Sequence, residues 1–281
     1  MLKAIGTIFS YLLSFLFCLL LTLTVLVGIL NLTVFSEEFF RQQIDRSNYS
    51  ENTMETLQES LSSYGLVSGF DAAFFRKAVP IDTLQAEIYR EVGRLYQSDS
   101  KKMDTDQFRE DLLEKLYKNV EERGLEISEQ EKEGIAYLAD LSTLAYYNVV
   151  SIPFSNQISS LLQRAKDIFS TIFRILLACD LAALIIMLAA GRSRRRKIDL
   201  VINSIAGSIL LLGAPTLAVL INGSLKNIAL SGKAIYYFSQ SYISSAMQVI
   251  WIYVAIMAIA WICIFFYRLS YVGAKKRKSR H

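Results

Sequence analysis

Four stretches of the chain stay apolar for longer than the roughly 20 helical residues that a bilayer core requires. The first lies between Lys3 and Glu37, 33 residues with no formal charge, centred on the run from Tyr11 to Val27. It is longer than a signal-peptide core of about 7–15 residues, and no small-x-small cleavage site follows, so an uncleaved signal anchor is expected. The second covers about 169–191 and carries Arg174 and Asp180. The third covers about 200–222 with Pro215 inside it, and the fourth about 247–267. The fourth holds Trp251 and Tyr253 near one end and Trp261 and Tyr267 toward the other. Such placement suits the aromatic belts at the two membrane–water interfaces.

Between the first and second stretches the pattern changes to amphipathic helix. After Asp82 the apolar positions Leu84, Ile88, Val92 and Leu95 recur three or four apart, and after Asp104 the series is Phe108, Leu112, Leu116 and Val120. Ile135, Leu138, Leu141, Ala145 and Val149 give a third series, and a run opening at Ser50 gives another. Asp82-Thr-Leu-Gln and Ser128-Glu-Gln-Glu have the form of capping boxes, Gly124 stands where a left-handed cap ends a helix, and Pro80 and Pro153 fall at boundaries. No strand alternation competes with these signals.

The expected fold class is therefore all-α: a polytopic membrane protein with four transmembrane helices and an extracytoplasmic helical bundle, of four to five helices, inserted between the first and second. Its parts are an N-terminus and first span at 1–35, the helical domain at 36–166, and a three-helix transmembrane region at 167–281. Thirty-three uncharged residues in helix would reach about 50 Å against a hydrocarbon core of about 30 Å. Ser36 to Asp45 can extend the same helix, so the first span is expected to project as a rod. The residues from Ser155 to Phe169 run into the second span with no breaker and make a second rod.

Charge orients this arrangement. Arg192, Arg194, Arg195, Arg196 and Lys197 fill the turn between the second and third spans; Arg268, Lys275, Lys276, Arg277, Lys278 and Arg280 follow the fourth. With Lys3 these make 12 basic residues on one side, against Lys226 and Lys233 in the loop of about 223–246. The positive-inside rule then makes both termini cytoplasmic. Residues 36–166 hold 23 acidic and 15 basic residues, a net −8, on the opposite face. The basic clusters are topology determinants first, and candidates for anionic lipid headgroups second. With 53% hydrophobic and 20% charged residues, a multi-pass plasma-membrane protein is expected. The 36–166 segment has no cysteine, which suits a bacterial, Gram-positive surface better than a eukaryotic secretory one.

Candidate chemistry concentrates on Asp180, an acid in mid-span that must be paired, hydrated or protonated. Arg174 is six residues away, about 9 Å along the helix and 240° round it, and is expected to snorkel outward instead. Partners for Asp180 are sought on the third span, at Asn203, Ser204, Ser208 and Thr216, or at Gln248 on the fourth. The third span is rich in small residues (Ser204, Gly207, Ser208, Gly213, Ala214), which permit close helix packing, and Pro215 is able to kink it. Proton or ion coupling, a helix–helix hydrogen bond and a subunit contact are the roles open to Asp180.

Enzyme chemistry is not expected. The one histidine is His281, so no histidine-based triad exists, no metal-ligand spacing or phosphate loop is present, and no cofactor is implied. Cys18, Cys179 and Cys263 stand singly in the spans, as packing residues. The acids from Asp104 to Asp111 depart from a calcium loop at Phe108 and Arg109 and suit a helix start. Tyr89, Tyr96, Tyr117, Tyr137, Tyr146 and Tyr147 are either packing residues or the lining of a ligand cleft. Nucleic-acid binding is unsupported.

One span, a large outer domain and three further spans is a plan similar to that of mechanotransmission-type ABC permeases such as the cell-division permeases. The likeness is of topology, with no shared motif, and a cytoplasmic segment able to serve as a coupling helix is lacking. Tetraspanins and claudins also have a large first outer loop, but their cysteine patterns are missing here. A non-enzymatic membrane protein is expected, whose outer helical domain binds a membrane or cell-surface partner, a ligand or a second copy of the chain. The alternative is a transport or permease subunit built on Asp180 and the third span.

Overall fold

The computed structural model describes residues 2–97, 104–152, 155–190, 193–222 and 232–278. Among them the chain forms ten helices and no strand: α1 (Leu2–Leu32), α2 (Glu37–Arg46), α3 (Tyr49–Ser68), α4 (Ala72–Ala78), α5 (Ile81–Gln97), α6 (Thr105–Glu122), α7 (Glu129–Val150), α8 (Ser155–Ala190), α9 (Arg194–Asn222) and α10 (Lys233–Lys278). Four of these are long and apolar enough to cross a membrane, over Ile8–Leu32, Gln157–Ala189, Arg194–Asn222 and Lys233–Tyr271. The helices divide between two units. One comprises Met1–Phe35, Ala165–Ile228 and Tyr242–His281; the other comprises Ser36–Arg164 and Ala229–Ser241.

In the first unit α1 packs along α9, and two apolar clusters complete the contacts. Phe17 meets Ala183, Met187 and Leu200, while Ile205 and Leu212 meet Val254 and Met257. Outward faces are apolar, as at Phe15, Ile185 and Ile256, which suits lipid as the surrounding solvent. The helices exceed the apolar stretches that announce them. Neither Gly nor Pro occurs between Lys233 and Met247, so nothing stops α10 from starting 14 residues before the expected fourth span.

The first span does not continue through Ser36 as one rod. The helix ends at Leu32, and Ser36 takes an extended conformation (φ −107°, ψ 111°) with its hydroxyl accepting the amide of Phe39. A serine followed by Glu37 and Glu38 is a helix start: the hydroxyl satisfies a free amide and the acids favour the positive end of a new helix. That local signal wins over continuation. By contrast α8 is unbroken over Ser155–Ala190, 36 residues, as its sequence predicts.

The second unit is a helical assembly with a single core. Leu57 and Leu61 of α3, Phe75 of α4, Leu84 and Val92 of α5, Leu112 and Leu116 of α6, and Leu138 and Tyr146 of α7 are buried together. Leu84, Ile88, Val92 and Leu95 all face inward, so the spacing of α5 is the spacing of its buried stripe. Phe108 stacks on Tyr146 with ring centres 3.9 Å apart. Burial, and next the negative charge of Glu87, push the Tyr146 phenol up to about 12. Gly65 is required by packing: a Cβ there would lie 2.5 Å from the Phe70 carbonyl oxygen and from the Phe75 ring.

Helix ends follow the local chemistry. Ser128 and Glu131 form the reciprocal capping box of α7. Asp104 caps α6, which closes with Gly124 at φ +67°, the Gly124 amide donating to Glu121 and the Leu125 amide to Val120, a Schellman pattern. Asp82 is not a cap. Helix α5 starts one residue earlier, the Pro80 carbonyl accepts from Thr83 and Leu84, and Asp82 lies within the first turn. Proline suits that place because its fixed φ favours helix entry. Among the described residues six helices rather than four or five lie between Ser36 and Val150, since α2 and α4 are short. Pro153 lies outside the described residues.

Candidate functional site

Two features concentrate polar or accessible chemistry, one in each unit. In the membrane-type unit, α1 and α9 approach through small residues. The Ser14 and Ser204 hydroxyl oxygens are 2.8 Å apart, the Ser204 hydroxyl is also 2.8 Å from the Ser14 carbonyl, and the Ser208 hydroxyl donates to the Cys18 carbonyl at 2.9 Å. At Gly207 an added Cβ would sit 2.7 Å from the Cys18 sulfur. Buried hydroxyls bonded to a neighbouring backbone are a recurrent means of holding membrane helices, because hydrocarbon offers them no other partner.

Asp180 binds none of the residues expected for it on α9 or α10. Its partner is Thr24 of α1, with 2.5 Å between the threonine hydroxyl and the carboxyl Oδ2. That hydroxyl also lies 2.9 Å from the Leu20 carbonyl oxygen. The Thr24 hydroxyl thus has two acceptors within reach, the Asp180 carboxyl and the Leu20 carbonyl. Arg174 turns away, its guanidinium donating to the Ser170 carbonyl and to Thr171 one turn back along α8.

The remaining intramembrane candidates do not converge. Ser204 and Ser208 are buried on the α1 side, whereas Asn203 and Pro215 are exposed, and α9 runs through Pro215 without interruption. The complementary small stripe lies on α1 itself and is readable in its sequence: Ser10, Ser14 and Cys18, four apart and all buried. A further ion pair joins Asp199 of α9 to Arg268 of α10.

The basic clusters are only partly described. Arg194 and Arg195 are exposed and Arg196 and Lys197 half-buried at the start of α9, with the Arg196 amide donating to the Ser193 hydroxyl. Four cations in a first turn oppose the helix dipole, so their presence there has another cause than helix stability. Lys275, Lys276, Arg277 and Lys278 belong to the last turns of α10. Arg192 lies outside the described residues.

In the second unit α2, α3, α5, the end of α7, and the first turns of α8 and α10 enclose a cavity of about 560 Å³. This falls within the roughly 300–1,000 Å³ of ordinary small-molecule sites. Phe40, Ile44, Ile88, Val92, Leu95 and Val149 give it an apolar wall. Phe238 closes one side, its ring centre 4.8 Å from that of Phe40 and 5.8 Å from that of Tyr49. Two charged groups reach the wall. Lys233 is bonded to Glu55 at 2.6 Å, and Glu91, 5% exposed, is paired with Arg94, which also reaches Glu87 at 3.3 Å. Burial raises the Glu91 carboxyl above the usual range, the Arg94 charge opposing it.

None of the tyrosines considered for a ligand cleft lines this cavity; Tyr49 does. Tyr96 and Tyr146 are core residues, and Tyr137 and Tyr147 are exposed on α7. Asp104, at the head of the acidic run, uses its carboxylate to cap α6, and Arg109 pairs with Asp140. The cavity was not legible in the chain because its wall joins α10 to helices almost 200 residues earlier, and no short motif records such a pairing. Comparison with protein-family models, with curated proteins and with solved structures finds no match for the chain.

Proposed function

We propose that the chain is a non-enzymatic, multi-pass membrane protein whose helical unit lies outside the cytoplasm and binds a partner or ligand, acting as a scaffold, sensor subunit or regulator. The observation that carries this is the 560 Å³ cavity with an apolar wall inside a unit that has its own core. The polar groups of the spans support the same conclusion from the other side. Ser204 and Ser208 are spent on α1, and small residues at that seam serve helix packing. Charge asymmetry supports cytoplasmic termini.

A photo-crosslinking amino acid placed in the full-length chain in cells, at Tyr137 or Leu144 on the exposed face of α7 and at Val149 on the cavity wall, tests the binding role. A discrete adduct from either class of position is the expected result. Adducts only from lipid-facing span positions such as Ile185 overturn it.

The second reading is a transport or permease subunit, favoured by one observation, the half-buried Asp180 carboxyl bonded to Thr24. Asp180→Asn retains a partner for Thr24 and removes the titratable proton. A pH-linked flux in vesicles lost in this variant, with expression and melting unchanged, would establish transport; no flux in the parent protein would exclude it.

A further inference from the structure

We propose, building on the binding role above, that the cavity of the helical unit holds the hydrocarbon chain of a membrane lipid. The charged groups that would recognise an ionic ligand are already engaged. Lys233 is bonded to Glu55 and Glu91 to Arg94, so the charges on the wall are neutralised within the protein. What the cavity offers an occupant is the surface of Phe40, Ile44, Ile88, Val92, Leu95 and Val149, and apolar surface selects apolar surface.

The rim points to the source of such a chain. Beside the exposed Thr56, Asn148 and Lys233, two apolar lining residues are also open to the outside, Ile158 at 40% and Ile235 at 48%. Both residues sit in the opening turns of helices apolar enough to cross a membrane, Gln157–Ala189 and Lys233–Tyr271. The turns after Ile235 present Tyr236, Tyr237 and Tyr242, the residue type enriched where a membrane meets water. Lipid chains are therefore supplied along the same helices that build the wall.

The full-length protein is reconstituted in vesicles of phosphatidylethanolamine and phosphatidylglycerol, with a minor fraction of phosphatidylglycerol bearing a diazirine at the end of one acyl chain. After irradiation, adducts are mapped by mass spectrometry. Adducts are expected on Ile88 and Val92, buried residues of α5, beside those on span faces such as Ile185 and Ile256. Ala234→Trp, which fills the cavity, lowers the α5 adducts by at least about tenfold, the effect of an overpacking cost near 1.4 kcal/mol. Span adducts stay unchanged and report that the variant is inserted. Ile235→Glu, at an exposed rim position, has the same effect without adding bulk to the core.

Absence of α5 adducts in the parent protein, or their persistence in both variants, overturns the lipid assignment. If α5 adducts are absent while crosslinkers at Tyr137, Leu144 or Val149 still capture a partner or ligand, the binding role survives and only its lipid nature fails. If neither experiment gives an adduct on the helical unit, both fall.

Discussion

Single residues in the helical unit make the sharpest stability predictions. Ser142 is fully buried in α7, and its hydroxyl oxygen has no hydrogen-bond partner among the described residues. A buried hydroxyl that gives up water without a replacement bond is a net cost. Ser142→Ala is expected to stabilise the unit by about 1 kcal/mol, read as a raised unfolding midpoint of the purified protein. Glu91 gives a pH signature. Its carboxyl is raised in the folded protein above the ordinary 4.5, so between that value and the folded one the native state binds more protons than the unfolded state. Stability from this group therefore increases as pH falls through the window. Glu91→Gln is expected to be the more stable form above that window, with its advantage shrinking as the pH falls through it toward the ordinary carboxyl range; an advantage that stays constant contradicts the assignment. Residue chemistry was unevenly legible beforehand. Asp180 announces itself because an acid in an apolar run is rare, but Thr24 does not, since threonines in spans usually bond their own backbone, as Thr22 does to Cys18.

At the scale of elements, the α1–α9 seam depends on mutual smallness. The distance from a Gly207 Cβ to the Cys18 sulfur would be 2.7 Å, but to the Cys18 Cβ it would be 3.7 Å, an ordinary contact. Gly207→Ala alone is expected to lower the melting midpoint by an amount equivalent to about 1–3 kcal/mol, the usual cost of overpacking. Adding Cys18→Ala should restore most of that loss. Additive losses in the double variant would show that the two residues do not meet. The amphipathic helices and their caps follow from spacing and from Ser, Asp and Gly at the ends, which act within one turn and are visible locally. Partner choice between spans was less legible: an apolar helix has no polar face to say which side packs, and it is recorded only in small residues, the four-residue repeat of Ser10, Ser14 and Cys18 on α1 and Ser204, Gly207 and Ser208 on α9. The break between α1 and α2 was missed for a different reason. Continuation and restart are both compatible with a charge-free run, and Ser36 decides between them by satisfying the Phe39 amide.

For the whole molecule, composition and the four apolar stretches are enough to place it in the all-helical class with four helices able to cross a membrane. The proposed orientation has a direct measurement. In a background free of Cys18, Cys179 and Cys263, a cysteine replacing the exposed Tyr137 is expected to react with a membrane-impermeant maleimide on intact cells. One replacing the exposed Arg195 should react only after the membrane is opened; the reverse pattern inverts the topology. Division of the chain was the least legible feature. A sequence read from end to end suggests one uninterrupted outer segment, yet the helical unit also takes in Ala229–Ser241, from the far side of the third span.

That discontinuity imposes an order on biosynthesis. Residues up to Arg164 leave the ribosome well before Ala229, and at about 5–20 residues per second the 64 residues between them occupy roughly 3–13 s. During this interval the nascent unit has α2 to α7 but lacks Phe238, the side chain that packs against Phe40 and Tyr49. Its apolar wall stands open while two more spans are being inserted. Chaperones and proteases thus meet a half-built unit with an uncovered cavity, and completion of the unit follows only once the residues of the two spans before it have been made.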